Sequence, residues 1–250
     1  VVVNDANGCP ANTTTLVGEP LPLQIDNVVV TDVTCNGLSD GAITINASQG
    51  TAPYTYSIDG GTTFQASNNF SNLSAGNVTV DVQDANGCIA TQQVVLTEPP
   101  LLTLAGVPTD LLCNNDFTGE INLTEGGGTG PYQYSIDFGA TFQGGGQFSF
   151  IGAALYDCQV VDANGCIADV QINVAEPNVL EFLTFTSADP LCANACDGTI
   201  TTVPQGGTTP YTFNWSGNIA GPNDVDAIGV CPGNYIVDVT DANGCTDDGA

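Results

Sequence analysis

The 250-residue sequence contains no lysine, no arginine and no histidine. A soluble domain ordinarily draws about a quarter of its residues from the four charged types, so an entire sign of charge is missing. Nucleic acid is thereby excluded as a partner, because phosphate contacts need cations. Anionic membrane surfaces are excluded on the same ground. Without histidine there is no Ser-His-Asp or Cys-His nucleophile pair. Without lysine there is no Schiff base, and without either long cation no clamp for a transferring phosphoryl group. Paired carboxylates, as in glycosidases, are the catalytic arrangement left over. The acids that recur along the chain sit at turns and linkers, however, where aspartate serves turn chemistry. The sequence therefore reads as non-enzymatic. It also has no signal-peptide pattern and no apolar run of membrane-spanning length, so no direct membrane insertion is expected.

What is present is acid, apolar residues and cysteine. Twenty-seven carboxylates give a net charge of −27, yet 42% of residues are hydrophobic. That is enough to build packed cores and argues against a disordered acidic tail. Ten cysteines without histidine indicate disulfides made in an oxidising, extracellular compartment. Zinc is the rival reading, since Cys192 and Cys196 are close, but the other cysteines lie far off in sequence.

The pentapeptide Asp-Ala-Asn-Gly-Cys occurs at 5–9, 84–88, 162–166 and 241–245, at intervals of 79, 78 and 79 residues. A fixed period of this size marks a tandem array. Each of the last three copies follows an alternating apolar stretch: Val78, Val80, Val82; Tyr156, Cys158, Val160; Tyr235, Val237, Val239. Such alternation predicts a half-buried strand. Asp opening and Gly closing a four-residue turn predict a type I hairpin turn with a bulge. The chain divides accordingly into residues 1–20, the last hairpin of a repeat, complete repeats at 21–99 and 100–177, and a repeat at 178–250 lacking its last strand. Both ends read as cuts through a longer array.

Within 21–99 the pattern predicts strands at 23–34, 42–48, 54–58, two short ones near 63–65 and 69–73, then 77–83 and 89–97. Seven short strands without helical periodicity predict an all-β fold, a Greek-key sandwich of immunoglobulin or fibronectin type III kind. Short proline-containing linkers (Glu19-Pro20, Glu98-Pro99-Pro100, Glu176-Pro177) would stiffen the array into a rod. After Pro53, Pro131 and Pro210 the residues run aromatic-x-aromatic-x-apolar, ending in Trp215 in the last copy. A sugar-stacking platform is one reading of this face; large inward core residues on a third strand is the preferred one.

Asp-x-Asn-Gly also resembles the start of a calcium loop, which makes Asp84, Asn86, Asp162, Asn164, Asp241 and Asn243 weak calcium candidates. No further acidic ligand follows at fixed spacing, so the turn reading is preferred, and calcium is the only cofactor the sequence suggests. Seven Asn-x-Ser/Thr triplets, at Asn12, Asn46, Asn69, Asn72, Asn77, Asn122 and Asn214, are weak signals of glycosylation.

The recurring cysteines allow two pairings. Local pairs would be Cys35–Cys88, Cys113–Cys166 and Cys192–Cys245. Strand directions favour another arrangement: the first loop lies at the pole away from the last hairpin, roughly 26 Å distant over eight strand residues. A disulfide tolerates Cα atoms no more than ~7 Å apart. The expected bonds are therefore between neighbouring repeats, Cys35–Cys166 and Cys113–Cys245. Cys9, Cys88 and Cys192 would then be bonded to repeats outside this stretch. Cys196–Cys231 should close locally at one pole. Cys158 takes the place of Val80 and Val237 and should be a buried free thiol.

The succession 35–45 (Cys-Asn-Gly to Asp-Gly-Ala-Ile-Thr-Ile), 50–57 (Gly-Thr-Ala-Pro-Tyr-Thr-Tyr-Ser), 72–76 (Asn-Leu-Ser-Ala-Gly) and 82–88 resembles the SprB repeat. The third copy departs from it at Cys113–Glu120 and at Gly152–Tyr156. That family belongs to giant surface adhesins of gliding Bacteroidota. The resemblance implies export by type IX secretion, an extracellular location at the cell surface, and a stalk of repeats serving adhesion during gliding. Its partners would be neighbouring repeats, with external surfaces or polysaccharide met by other regions. The alternative function is a calcium-dependent carbohydrate-binding array.

Overall fold

The computed structural model describes residues 2–217, 219 and 225–249; Val1 and Ala250, the expected cut ends, lie outside them. The chain falls into two compact units, residues 1–100 and 101–250. All regular structure among the described residues is β.

In the first unit, β1 (Val2–Asn4) and β2 (Pro10–Asn12) form an exposed hairpin. Thr13–Val17 lie outside any strand. A two-stranded ribbon with nothing to bury is marginal, so pairing stops within a few residues of the turn. The body of this unit has β3 (Gln24–Thr31), β4 (Gly41–Ser48), β5 (Thr55–Ser57), β6 (Asn69–Leu73), β7 (Gly76–Gln83) and β8 (Ile89–Leu96). They form two antiparallel three-stranded sheets, β3-β4-β6 and β5-β7-β8. That partition is the immunoglobulin one, with the first, second and fifth strands facing the third, sixth and seventh.

Six strands stand where seven were expected. Residues 63–65 contribute a single bridge, Tyr56 to Gln65, and no strand. The reason is local: the Asp59 carboxylate collects the N–H groups of Thr62 and Thr63 and the Ser57 and Thr63 hydroxyls, winding the chain into a loop. Alternate residues of β4 and β7 (Ile43, Ile45, Val80, Val82), with Leu96, form the core between the sheets. Gly41 is needed where β4 begins, because a Cβ there would stand 2.7 Å from Leu96 Cδ2.

Among the described residues the second unit contains the same six-strand sandwich twice. The first has β9 (Thr103–Thr109), β10 (Gly119–Gly126), β11 (Gln133–Ser135), β12 (Gln147–Ile151), β13 (Ala154–Val161) and β14 (Ile167–Val174). The second has β15 (Glu181–Ala188), β16 (Gly198–Gln205), β17 (Thr212–Trp215), β18 (Asp226–Val230), β19 (Val237–Thr240) and β20 (Thr246–Gly249). Sheets β9-β10-β12 and β15-β16-β18 face β11-β13-β14 and β17-β19-β20. Each sheet draws its strands from one repeat.

Candidate functional site

Three of the four Asp-Ala-Asn-Gly-Cys turns, those at 84–88, 162–166 and 241–245, are each locked to a second turn by the aspartate. Asp84 Oδ1 accepts the N–H groups of Asn86 and Cys88, both at 2.9 Å, and its Oδ2 accepts the N–H of Thr51, also at 2.9 Å. Ala85 N–H donates back to Thr51 O, and Asn86 Nδ2 to Thr51 Oγ1, each at 2.8 Å. Gly87 closes the turn at φ 81°, a left-handed value that a Cβ would strain. Asp162 holds Thr129, Asn164 and Cys166 in the same way, and Asp241 holds Thr208, Asn243 and Cys245. All three carboxylates are buried. The Thr51 N–H, helped by those of Cys88 and Asn86 and opposed by desolvation, keeps the Asp84 carboxyl below its ordinary range.

The six calcium candidates are thus gathered as turn locks. Donor N–H groups point at both oxygens of each aspartate, the reverse of what a cation needs. Among the described residues no group of three or more Asp, Glu, Cys or His is placed to hold a metal.

The aromatic strand faces inward. Phe213 and Trp215 belong to the core of the last repeat, as Tyr134 does in the one before. The tyrosines that follow the prolines latch the preceding turn: Tyr54 OH donates to Gln49 O, Tyr132 OH to Gly127 O and Tyr211 OH to Gly206 O. Tyr156 OH donates to Gly152 O and Tyr235 OH to Cys231 O, each four residues upstream. This is the corner that immunoglobulin sandwiches place before their sixth strand. Cys158 follows that tyrosine by two residues and is 1% exposed. Burial, with Asp157 adding to it, pushes its thiol pKa up to about 11.

The remaining cysteines define a junction. Cys113, in the first loop of one repeat, is bonded to Cys245, beyond the hairpin tip of the next, with Cα atoms 5.7 Å apart and a sequence separation of 132. Asn243 Nδ2 donates to Leu112 O at 2.9 Å beside this bond. The same loop grips the linker: Asn115 N–H donates to Glu176 Oε2 at 2.7 Å and Asn114 Nδ2 to Pro177 O at 3.0 Å. In the first unit Gly37 N–H holds Glu98 Oε2 at 2.7 Å and Asn36 Nδ2 holds Pro99 O at 3.1 Å. Asn115 takes the left-handed position of Gly37, so the divergent loop of the third copy keeps the same grip. The linker glutamates escaped the sequence reading, which treated them only as spacers. Their signal is a constant interval of ten residues after the hairpin cysteine, at 9–19, 88–98 and 166–176.

Cys196 is bonded to Cys231. Cys35 and Cys166 are each held in a disulfide. Cys9, Cys88 and Cys192 are exposed free thiols. The local alternatives fail accordingly: Cys88 and Cys192 have no disulfide, and Cys245 is spent on Cys113, leaving Cys35–Cys88, Cys113–Cys166 and Cys192–Cys245 unmade.

Fold and junction together define an array of immunoglobulin-like sandwiches in which one repeat is covalently fastened to the next. The SprB repeat model matches the chain at three tandem positions, residues 27–63, 105–141 and 184–219. The matched segments cover the first half of each repeat and stop short of the hairpin motif. No curated protein matches the chain. Among solved structures it is similar to immunoglobulin domains 1–5 of Sidekick-1, at 12% identity over 98% of this chain and 63% of that one, with a TM-score of 0.39. The N-terminal eight Ig domains of Down Syndrome Cell Adhesion Molecule match at 12% identity over 90% and 36%, TM-score 0.34. A C-terminal 282-residue fragment of intimin, in complex with the intimin-binding domain of its translocated receptor, matches at 14% over 64% and 67%, TM-score 0.34.

Proposed function

We propose that these repeats are a non-enzymatic stalk of a large secreted adhesin displayed at the bacterial cell surface, where they transmit pulling force between the cell and regions that meet external surfaces or polysaccharide. Export by type IX secretion and service in gliding are the finer parts of this reading and rest on the repeat family. The observation that carries the proposal is Cys113–Cys245: a covalent bridge over a junction keeps two repeats fastened even where the linker is strained. The recurring residues are otherwise spent on turns, junctions and core.

Single-molecule extension tests it. With disulfides intact, the stretch closed by Cys113–Cys245 stays folded back on itself and withholds roughly 450 Å of contour at ~3.4 Å per residue. Reduction should release that length. A contour unchanged by reductant would refute the mechanical reading. A direct assay with surfaces and polysaccharides, with and without calcium, separates the stalk from a binding array. Saturable binding by these repeats themselves would favour the array.

A further inference from the structure

Asparagine is followed by glycine five times, at 7–8, 36–37, 86–87, 164–165 and 243–244. Such a step carries its own chemistry, because glycine has no Cβ to shield its nitrogen. That nitrogen, on giving up its proton, attacks the asparagine Cγ. The N–Cγ bond forms, the Cγ–Nδ2 bond breaks, and Nδ2 leaves with the proton as ammonia. Water then opens the succinimide ring at either carbonyl, giving aspartate or, with the backbone rerouted through Cβ and Cγ, isoaspartate. Asn86, Asn164 and Asn243 are all exposed, so burial does not shield them.

What shields them is the turn. The nucleophile is engaged: Gly87 N–H donates to Asp84 O at 3.0 Å, and Gly165 and Gly244 donate to Asp162 O and Asp241 O at 3.1 Å each. The nitrogen also points the wrong way. Ring closure requires it to eclipse the asparagine Cβ, but each of the three asparagines has negative φ and precedes a glycine in the left-handed region. In that type I arrangement the asparagine holds ψ near ~0°, away from the eclipsed value. The leaving group is held as well. Asn86 Nδ2 donates to Thr51 Oγ1, and Asn243 Nδ2 to both Thr208 Oγ1 and Leu112 O. The step at 36–37 is held by other partners, its Gly37 N–H by Glu98 Oε2 and its Asn36 Nδ2 by Pro99 O.

We propose that Asn86, Asn164 and Asn243 are latent modification sites, silent while the turn is closed and converted to isoaspartate and aspartate once it is held open. At Asn243 the conversion is one-way for the junction. Either product replaces the Nδ2 donor with a carboxylate, which then faces the carbonyl oxygen of Leu112 in place of a 2.9 Å hydrogen bond. Isoaspartate also adds a backbone carbon to the turn, so the bond from Gly244 N–H to Asp241 O loses its register. The added charge meets no cation anywhere in the chain. A junction opened briefly re-forms; one held open loses its asparagine and does not. The inference rests on the turn geometry and not on the stalk function.

The test incubates the whole chain in mildly alkaline buffer, folded or unfolded in urea, and maps isoaspartate residue by residue alongside the release of ammonia. In the folded chain, conversion at the three steps should be at least about tenfold slower than in the unfolded chain, because reaction waits on local opening. A synthetic Asp-Ala-Asn-Gly-Cys peptide should convert at the unfolded rate. Thr51→Val, which removes only the Oγ1 acceptor, should speed conversion at Asn86 at least about twofold, the effect of one hydrogen bond. Asp84→Ala should speed it further. In both variants Asn243 should stay slow, which reports that the rest of the chain is folded. Chain that has been reduced, unfolded and converted should, on refolding and oxidation, recover less Cys113–Cys245 bond than unconverted chain treated alike. Folded and unfolded chains converting at one rate, Thr51→Val and Asp84→Ala both converting like the parent, or full recovery of the bond after conversion would each overturn the proposal.

Discussion

Asn243 Nδ2 lies 2.9 Å from the carbonyl oxygen of Leu112, 131 residues earlier in the chain. The same asparagine also reaches Thr208 Oγ1 at 3.1 Å inside its own repeat. One side chain therefore ties a hairpin tip both to its own sandwich and to the loop of the sandwich before it, next to the Cys113–Cys245 bond. The consequences of this arrangement can be measured.

Disulfide mapping comes first. The interval from Cys35 to Cys166 is one residue shorter than the 132 of Cys113–Cys245, so the repeat register assigns the same bond there as a proposal. Non-reduced digestion with an acid- or aromatic-specific protease should recover Cys113–Cys245, Cys196–Cys231 and Cys35–Cys166. Recovery of Cys35 joined to Cys88 would defeat it. Replacing Cys113 and Cys245 with serine should lower stability by about 4–5 kcal/mol on a chain-entropy account of so long a loop.

The Asp turn lock should matter more than its exposed tip suggests. In Asp162→Ala the N–H groups of Thr129, Asn164 and Cys166 lose their shared acceptor. A cost of about 2–3 kcal/mol in denaturant unfolding of that repeat is expected, the range for hydrogen bonds to a buried charge. Calcium should not restore the loss, and rescue by calcium would return the aspartate to the role of a metal ligand.

Cys158 should behave as a core residue. It stands where the other repeats have Val80 and Val237, all three within 1% of full burial. Cys158→Val is expected to be close to neutral, while Cys158→Ser costs about 1–3 kcal/mol because its hydroxyl finds no good partner. The carbonyl of Tyr156 is 3.8 Å from Sγ. Native-state alkylation should modify Cys88 and Cys192 quickly and leave Cys158 untouched until the chain unfolds. Rapid labelling of Cys158 would show the burial to be wrong.

Acid should destabilise the sandwiches even though it neutralises a chain of charge −27. Hydrogen bonds from Ser135 first, then from the Thr141 hydroxyl and N–H, hold the Asp137 carboxyl down at about 2. Asp59 is held lower still, by Thr63 and Ser57. A depressed folded-state pKa contributes stability that is complete above the unfolded value near 4 and is lost as pH falls toward about 2. The melting temperature should therefore drop across that window, and Asp137→Asn should flatten the drop. A melting temperature that rises steadily from pH 4 to 2 would mean that relief of repulsion outweighs these bonds.

At neutral pH the effect of salt should have the opposite sign to that usual for ion-paired proteins. No cation is present to form a salt bridge, so screening only relieves repulsion. As the Debye length shrinks from ~30 Å at 0.01 M to ~3 Å at 1 M, the melting temperature should climb. Sodium chloride and a salt of a larger monovalent cation should act alike, and a dependence on cation identity would reveal specific binding instead.

Local chemistry sufficed for much of this molecule. The period, the Asp-Ala-Asn-Gly-Cys turns, the inward alternation of Val80 and Val82 and the burial of Trp215 follow from interactions within a few residues or from strand periodicity alone. So does the fold class, because short alternating strands without cations or helical pattern have few ways to hide their apolar faces. The count of strands did not follow, since the hydrogen bonds of Asp59 outcompete a ladder at 63–65. Nor did the work of Glu98 and Glu176, which as exposed acids beside prolines look like spacers until the N–H groups of Gly37 and Asn115 are set against them. Cys113 had two candidate partners in the sequence, at 53 and 132 residues' distance. Only the placement of two sandwiches, which brings Cα atoms 5.7 Å apart, decides between them. Distance in space between poles of different domains is fixed by packing and by the linker, and no local propensity encodes it.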